Sequence, residues 1–238
     1  MLGRFLELSL PAPDVQASLE FYAKLGFAQA QVGEAWPHAY AVVTDGRITL
    51  GLHAAADWPL ALTFVRPDLL KALEALDELG VRLEIRRLAG DVFNEIGWRD
   101  PSGHLIRLLE ARTYSPVERG ALDLPRCGFF AEIALPCEDL EISKAYWEFL
   151  GFVGIEEQDP LPHVSCTSDH VDLGLYASGA LKRGCLRYKV DGLQAALANL
   201  SEAGIAPRAA PPPALDRSRT ALLTAPEGTP ILLTAAPV

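Results

Sequence analysis

The pattern of apolar and polar positions divides the chain into helical and strand-like segments, which follow one another in a recurring order. Residues 69–79 carry leucines at steps of three or four residues, which is the spacing of a helix with one buried face. Strand-like stretches, alternating or rich in β-branched residues, lie at 39–44, 47–52, 81–88 and 104–109. Together they predict a strand, a helix and three further strands in each quarter of the chain.

This order recurs because the sequence is duplicated. Residues 7–27 (ELSLPAPDVQASLEFYAKLGF) and 132–152 (EIALPCEDLEISKAYWEFLGF) share eight identities, each 125 positions apart. The turn at 101–103 returns at 226–228 with the same offset. Chance does not keep one register over such a length, so we interpret the chain as a tandem duplication.

Helix ends are marked by the residue types that stabilise them. Asp14 and Asp139 stand where an N-cap would accept hydrogen bonds from the first turn. Glycines stand where a helix ends with a positive φ angle, at Gly26, Gly80, Gly151 and Gly204. The predicted domains are residues 1–112 and 126–238, joined by a linker at 113–125 that carries Pro, Gly and charge. The proline-rich stretch 209–214 is predicted to be a loop inside the last module.

Composition and charge narrow the classes of partner. Of the 238 residues, 50% are hydrophobic and 22% charged, which suits a globular core. The net charge of -10 argues against nucleic acid as a partner. No apolar run reaches the length of roughly 18 residues that a membrane span needs. The start lacks a signal-peptide pattern, and the four cysteines lack CxxC spacing, so we expect a cytoplasmic protein with reduced thiols.

Two motifs carry a family resemblance. They are LxLPxxDxxxSxxFYxxLGF at the start of the first half, which returns in the second half as IALPCEDLEISKAYWEFLGF, and DPxG near the end of each half, here DPSG at 100–103 and APEG at 225–228. On these motifs the chain resembles the glyoxalase, bleomycin-resistance and extradiol-dioxygenase group, the vicinal oxygen chelate superfamily. The resemblance implies an α+β fold of four βαβββ modules, paired into two cup-shaped, barrel-like mixed sheets with the helices outside. Members include isomerases, dioxygenases, transferases and drug-binding proteins, so the resemblance does not select a function.

In that family a divalent metal in the cup chelates two adjacent substrate oxygens. Aligned by motif, the usual ligand positions hold Glu7, Ala61 and Arg107 in the first repeat and Glu132, Cys185 and Leu232 in the second. A divalent ion needs three or four converging donors, and a guanidinium beside one carboxylate occupies the place of the cation. His53 and Asp172 are the further candidates, and a shifted site with Glu7 and His53 still lacks a third strong ligand. We therefore predict no metal, with a divalent metal as the alternative.

The substituted positions suggest other contacts in the first cup. Strand alternation directs Phe5, Glu7 and Ser9 towards the cup, and Arg107 on the closing strand faces the same space. We therefore predict that Glu7 and Arg107 form an ion pair. The pair is either a structural replacement for the metal or a site in which Arg107 binds a ligand oxygen and Glu7 is an acceptor or general base.

The second cup is predicted to centre on Glu132, with Phe130 and Ala134 as its neighbours on the cup face. Arg187 lies two residues beyond Cys185 on the same strand face and is expected to pair with Glu132. Cys185 is either a nucleophile or, as free cysteines commonly are, a small buried thiol.

The histidines and tryptophans supply further candidates. His53 is the histidine that we place in the first cup. The other four histidines are predicted to be surface or turn residues: His38, His104, His163 and His170. The tryptophans that would line a cavity or fill the core are Trp36, Trp58 and Trp98, and Asn94 and Glu95 lie on a strand that would reach a pocket.

These observations predict a metal-independent small-molecule-binding protein, or an enzyme whose chemistry no longer uses chelation. The predicted ligand-binding residues are Glu7, His53, Trp98, Arg107, Glu132, Cys185 and Arg187, with Glu7 and Arg107 as catalytic candidates. The alternatives are a metal-dependent lyase or dioxygenase with non-standard ligands, an antibiotic-sequestering resistance protein and an inactive structural protein. The expected partner is a small molecule, not nucleic acid or a membrane. The expected assembly is a monomer or homodimer, because four modules in one chain can mimic the dimer of shorter relatives.

Overall fold

The computed structural model describes residues 1–32, 36–55, 57–89, 94–111, 123–207 and 210–236. The first repeat contains β1 (Arg4–Pro11), α1 (Val15–Leu25), β2 (Ala28–Ala30), β3 (Tyr40–Thr44), β4 (Thr49–His53), β5 (Ala61–Arg66), α2 (Leu70–Glu78), β6 (Leu83–Arg87), β7 (Glu95–Arg99) and β8 (Leu105–Glu110). The second contains β9 (Phe129–Cys137), α3 (Leu140–Phe149), β10 (Val153–Glu157), β11 (His163–Thr167), β12 (Leu173–Ala177), β13 (Cys185–Val190), α4 (Leu193–Glu202), β14 (Thr220–Thr224) and β15 (Pro230–Ala235).

Each repeat forms one mixed sheet from two modules. The first sheet has the order β2-β3-β4-β1-β5-β8-β7-β6, and the second has β10-β11-β12-β9-β13-β15-β14. In the first, β1 pairs antiparallel with β5 at the centre and parallel with β4. The predicted α+β architecture of two cups is confirmed, but the sheets are open and do not close into barrels, because β2, β6, β10 and β14 are edge strands.

The fourth module departs from the predicted three strands after the helix. In the described part of this module only β14 and β15 follow α4, and 205–207 and 210–219 form no strand. This region contains Pro207 and three consecutive prolines at 211–213. Proline has no backbone N–H to donate to a strand ladder, which explains the smaller second sheet.

The predicted helix ends are confirmed. Asp14 Oδ1 accepts a hydrogen bond from the backbone N–H of Ala17 at 3.0 Å, and Asp139 Oδ1 accepts one from Ile142 at 3.0 Å. Gly26 follows α1 with a φ angle of 98°, a left-handed conformation that other residues rarely adopt.

A β-bulge in the first strand of each repeat alters the predicted face of two phenylalanines. The pairing of β1 with β5 shifts register between Phe5 and Glu7, and β9 shifts in the same way against β13. Phe5 consequently packs edge-on against Phe64 at 5.4 Å, and Phe130 packs against Tyr188 at 5.5 Å. The prediction that Phe5 and Phe130 face the cups is wrong, because the extra residue in a bulge reverses the alternation.

The two repeats share one hydrophobic core and exchange polar contacts across their junction. The Glu227 carboxylate, in the turn of the second repeat, accepts hydrogen bonds at 2.7 Å from Ser18 and Tyr22 on α1. In the reciprocal position, Ser102 lies 3.0 Å from Ser143 on α3. The same contact therefore occurs twice: the helix serine of each repeat, Ser18 or Ser143, bonds to the turn of the other repeat.

The strands of the first sheet lie within 4–110 and those of the second within 129–235. Most of the predicted linker 113–125 lies outside the described residues, so the domain boundaries stay a prediction. Among the described helices, none combines the length and hydropathy needed to cross a membrane.

Candidate functional site

Glu7 lies at the centre of the first cup, where three neighbouring side chains hold its carboxylate. Ser9 Oγ donates to Glu7 Oε1 at 2.6 Å, and His53 Nε2 lies 3.0 Å from the same oxygen. The Tyr40 hydroxyl donates to Oε2. Glu7 is only 1% exposed, so these donors replace the hydration that burial removes.

The Glu7 carboxylate occupies the space that a side chain at Gly51 would fill. Gly51 on β4 pairs with Ser9 on β1, and a Cβ atom at Gly51 would lie 2.1 Å from Glu7 Oε1. Gly174 on β12 has the same place against Glu132 in the second cup, where a Cβ atom would lie 2.3 Å from the carboxylate. Both cups therefore require a residue without a side chain beside the buried glutamate.

A chain of hydrogen bonds connects Glu7 to the edge of the cup. Because a carboxylate only accepts, His53 Nε2 carries the proton, and His53 Nδ1 lies 2.9 Å from Nε2 of His38. His53 is fully buried, whereas His38 is half-buried. Burial lowers the pKa of His38, and the neighbouring His53 and Arg107 lower it further, so His38 is neutral near neutral pH.

Arg107 faces the first cup but pairs with a different carboxylate from the one predicted. Arg107 Nε lies 2.9 Å from Glu95 Oε1, and both side chains are 3% exposed. The other Glu95 oxygen accepts from Arg87 Nη1 at 3.2 Å. The predicted Glu7–Arg107 ion pair is wrong, because β7 places Glu95 beside the guanidinium while β1, β3 and β4 supply the donors for Glu7. Burial lowers the pKa of Arg107, and the charge of Glu95 opposes that effect.

Two tryptophans cover this cluster. The Trp58 ring stacks on His53 at 4.3 Å, and the Arg107 guanidinium carbon lies 4.1 Å from the centre of the Trp58 ring. Trp36 packs edge-on against Trp58 at 4.9 Å. Arg107 Nη1 and Trp58 Nε1 are buried donors that find no hydrogen-bond acceptor among the described residues.

Trp98, which the sequence places in the ligand site, lies on the opposite face of the sheet. It is fully buried, and its Nε1 donates to the hydroxyl of Tyr146 on α3 at 2.6 Å. On β7, Gly97 pairs with Arg107, so the cup face belongs to Gly97 and Glu95. Trp98 therefore belongs to the junction of the two repeats, and the prediction that it lines the first cup is wrong. Neighbouring Asn94 donates to Glu110 at 2.6 Å.

In the second cup, the expected pair of Glu132 and Arg187 is confirmed. Arg187 Nε and the Tyr176 hydroxyl each donate to Glu132 Oε1 at 2.7 Å, and His163 Nε2 lies 3.6 Å from that oxygen. Burial by itself would raise the pKa of Glu132, but His163, Arg187 and Tyr176 outweigh it and lower the pKa to about 2.

Of two further residues of the second cup, His163 differs from its prediction, whereas Cys185 matches the predicted alternative of a small buried thiol. His163, predicted to be a surface or turn residue, has a fully buried side chain that stacks on Tyr176 at 4.4 Å. Cys185 packs in an apolar cluster with Ala134, Tyr176, Leu181, Leu215 and Leu232. Burial first, and then the charge of Glu132, raises the pKa of the Cys185 thiol to about 12, so this thiol is protonated at neutral pH.

Strand register shows that the two cups use the same residue types in exchanged places. Tyr40 on β3 pairs with His53 on β4, whereas His163 on β11 pairs with Tyr176 on β12. The arginine also changes strand: Thr63 pairs with Arg107 in the first cup, and Arg187 pairs with Leu232 in the second. Each cup thus contains a glutamate, a histidine, a tyrosine and an arginine.

The sequence comparison missed Tyr40 and Tyr176 because the offset between repeats changes from 125 to 123 in these strands. At an offset of 125, His53 aligns with Ser178. The signal that identifies the correct alignment is the tetrapeptide LGLH at 50–53, which returns as LGLY at 173–176. Its glycine and its last residue both contribute to the cups.

The residues of the cups do not fit the divalent metal that the resemblance implies. Glu7 is already bonded by three donors, and both ring nitrogens of His53 are engaged. Arg107 brings a positive charge to the usual third position. Within the described ranges, no three His, Cys, Asp or Glu side chains form a group that could hold a metal ion.

Comparison with known proteins places the fold. The family model described as "Glyoxalase/Bleomycin resistance protein/Dioxygenase superfamily" matches residues 4–108, the first repeat. A catechol 2,3-dioxygenase structure is 17% identical with a TM-score of 0.62, covering 99% of this chain and 88% of that one. The Mn(II)-bound glyoxalase from Novosphingobium aromaticivorans is 15% identical with a TM-score of 0.62, covering 98% and 82%.

A third similar structure is homoprotocatechuate 2,3-dioxygenase from Arthrobacter globiformis, 17% identical with a TM-score of 0.62, covering 99% of this chain and 80% of that one. No curated protein sequence matches the chain. At these identities the structural similarity establishes the shared fold, including that of the second repeat, and does not transfer an activity.

Proposed function

Because the glyoxalase/bleomycin resistance protein/dioxygenase superfamily model matches the first repeat and the whole chain shares the fold of a dioxygenase and a glyoxalase, we propose that the chain belongs to this superfamily and binds a small molecule in its first cup without a coordinated metal ion. The observation that carries the proposal is the pair of buried donors, Arg107 Nη1 and Trp58 Nε1, that have no acceptor among the described residues. Buried donors are nearly always satisfied, so these two favour a ligand that brings acceptor oxygens.

The donors define the chemistry of the ligand. A guanidinium presents parallel N–H groups that match a carboxylate, and Trp58 adds a third N–H beside them. The flat faces of Trp36 and Trp58 favour a planar, aromatic body. We therefore propose an aromatic carboxylate, or a compound with a similarly placed carbonyl oxygen, as the ligand class.

The same cup supports an acid–base role for Glu7. Its carboxylate is one end of the hydrogen-bonded chain through His53 to the half-buried His38, which connects the interior of the cup with its edge. A proton that Glu7 accepts from a ligand held by Arg107 would leave along this chain only after both histidine rings take the opposite tautomer, because each ring now donates towards Glu7. In this proposal Glu7 is the general base and Arg107 stabilises negative charge on the ligand oxygen.

Calorimetric titration with benzoate, and with the neutral benzamide, tests the proposal. We expect benzoate to bind, and Arg107→Lys and Trp58→Phe each to weaken its binding about tenfold or more. Arg107→Lys keeps the positive charge but removes guanidinium donors, and Trp58→Phe keeps an aromatic ring but removes the indole N–H. Arg187→Lys in the second cup is the matched control and should bind benzoate like the unchanged protein. Unchanged affinity in both first-cup variants, verified as folded by thermal melting, would contradict the proposal.

Two alternatives are distinguished with the same protein. Metal analysis after purification without chelators should find no stoichiometric manganese, iron, nickel or zinc, and their presence would favour a metal-dependent lyase or dioxygenase with non-standard ligands. Protection of a sensitive host against a cationic antibiotic would favour a sequestering protein. The cytoplasmic location stays a prediction, and so does the monomer or homodimer, which size-exclusion chromatography of the same preparation tests.

A further inference from the structure

We propose that the cleft between the two repeats is a second binding site, which takes a small zwitterion with an apolar body, such as a free amino acid. The cleft has a volume of about 450 Å³ and lies where the first strands of both repeats begin. That volume is within the range of small-molecule sites. The cleft and the first cup have no lining residue in common, so this proposal is independent of the proposed function.

The two walls of the cleft carry opposite charges. The first repeat contributes Arg4 and Arg47, and the second contributes Asp169 and Asp172. Among the described residues, none of these four side chains lies within ion-pair distance of an opposite charge. Each wall therefore has charges that a ligand with both signs could pair with.

Between the walls lies an aromatic floor from both repeats. Phe5 and Phe129 line the cleft with the buried Phe130. The Arg47 guanidinium carbon stands 3.6 Å above the ring of Phe129, a cation–π contact that holds this arginine at the edge of the floor. An apolar side chain of the ligand would rest on these rings.

The turns that present the charged groups are held in place by hydrogen bonds. Asp45 Oδ1 accepts from the backbone N–H of Arg47 at 2.8 Å, and Asp45 Oδ2 accepts from the hydroxyl of Tyr188 in the other repeat at 2.8 Å. On the opposite wall, Ser168 Oγ accepts from the N–H of Val171 at 3.1 Å and donates to its carbonyl oxygen. A site with fixed turns loses little conformational entropy when a ligand binds.

The environment of Asp172 favours a cation beside it. Burial raises the pKa of Asp172, and the negative charge of Glu132 raises it further. An ammonium group placed at this wall would offset both effects. We therefore orient the ligand with its ammonium group towards Asp169 and Asp172 and its carboxylate towards Arg4 and Arg47.

Three probes that differ by one charged group test the proposal by calorimetry or NMR titration. They are L-phenylalanine, 3-phenylpropanoate, which lacks the ammonium group, and 2-phenylethylamine, which lacks the carboxylate. Because the first two are aromatic carboxylates, which the first cup is proposed to bind, all titrations use protein with the substitution Arg107→Lys, which weakens binding in that cup. We expect L-phenylalanine to bind, and each of the other two to bind at least about tenfold more weakly, because one wall would lose its partner.

Variants locate the binding. Arg47→Gln and Asp169→Asn change exposed side chains on opposite walls, and each should weaken L-phenylalanine binding about tenfold. Arg86→Gln, which changes an exposed charge outside the cleft, should leave it unchanged in the same Arg107→Lys background. Absence of saturable binding, equal binding of 3-phenylpropanoate, or unchanged binding in both cleft variants would each overturn the proposal.

Discussion

Replacing Arg187 by methionine tests how the second cup keeps a carboxylate buried. In the native protein Arg187 Nε donates to Glu132 Oε1 at 2.7 Å, and both side chains are at most 4% exposed. Methionine preserves much of the apolar volume of arginine but removes the charge. The variant therefore leaves Glu132 with Tyr176 and His163 as its remaining neighbours.

The expected loss of stability is large at neutral pH. Removing one partner of a buried ion pair typically costs about 3–5 kcal/mol, because the other charge stays buried without compensation. An exposed pair supplies the control: Arg99 Nε lies 3.0 Å from Glu84, and the side chains are 46% and 47% exposed. Arg99→Met should cost no more than about 1 kcal/mol.

The dependence on pH has a definite sign. Glu132 has a pKa lowered from 4.5 to about 2, so its contribution to the free energy of unfolding is present above 4.5 and is lost as the pH falls towards 2. Without Arg187, one cause of the lowering is lost, so the folded-state pKa of Glu132 is higher in the variant than in the native protein. Protonation of Glu132 therefore costs the folded variant less than it costs the folded native protein, and the stability difference between the two shrinks as the pH falls.

Urea unfolding followed by circular dichroism between about pH 7 and pH 4 measures this difference. The reasoning is refuted if Arg187→Met costs less than about 1 kcal/mol at neutral pH, or if its cost stays constant as the pH falls. A second variant, Glu132→Gln combined with Arg187→Met, should recover part of the lost stability, because it removes the buried negative charge.

Two further predictions concern packing and the junction of the repeats. Gly51→Ala should lower the free energy of unfolding by about 1–3 kcal/mol, because the new Cβ displaces the Glu7 carboxylate from its donors. The control is Gly179→Ala, whose new Cβ would have no atom within 4 Å. Equal melting temperatures of the two variants would contradict the prediction. Glu227→Ala should lower the free energy of unfolding by about 1–3 kcal/mol, because it leaves the Tyr22 and Ser18 hydroxyls without their acceptor. An unchanged midpoint of urea unfolding would show that the stability of the junction does not depend on this contact.

Much of the fold could be read from local sequence signals. The leucine spacing of α2, the caps at Asp14 and Asp139 and the duplicated motifs are local or periodic features, and the structure contains the helices and cups that they predict. The pair of Glu132 and Arg187 was predictable for the same reason, since the two residues lie on central strands that the motifs align.

The remaining site residues depended on which strands lie side by side. Glu95 is a neighbour of Arg107 because β7 pairs with β8, so Arg107 forms its ion pair with Glu95 instead of with Glu7. Trp98 faces away from the cup because it alternates with Glu95 and Gly97 along β7. His163 is buried because β11 pairs with β12, which places its ring against that of Tyr176.

The sequence by itself determined the duplication, the helix ends, the two cups and the buried glutamate in each. Only the tertiary structure decided which side chains hold Glu7, that Phe5 and Phe130 turn away from the cups, and that histidine and tyrosine exchange strands between them. The physical reason is that caps and periodicity act within a few residues of the chain, whereas a bulge or a two-residue change in loop length alters the pairing of distant strands and the faces of their side chains.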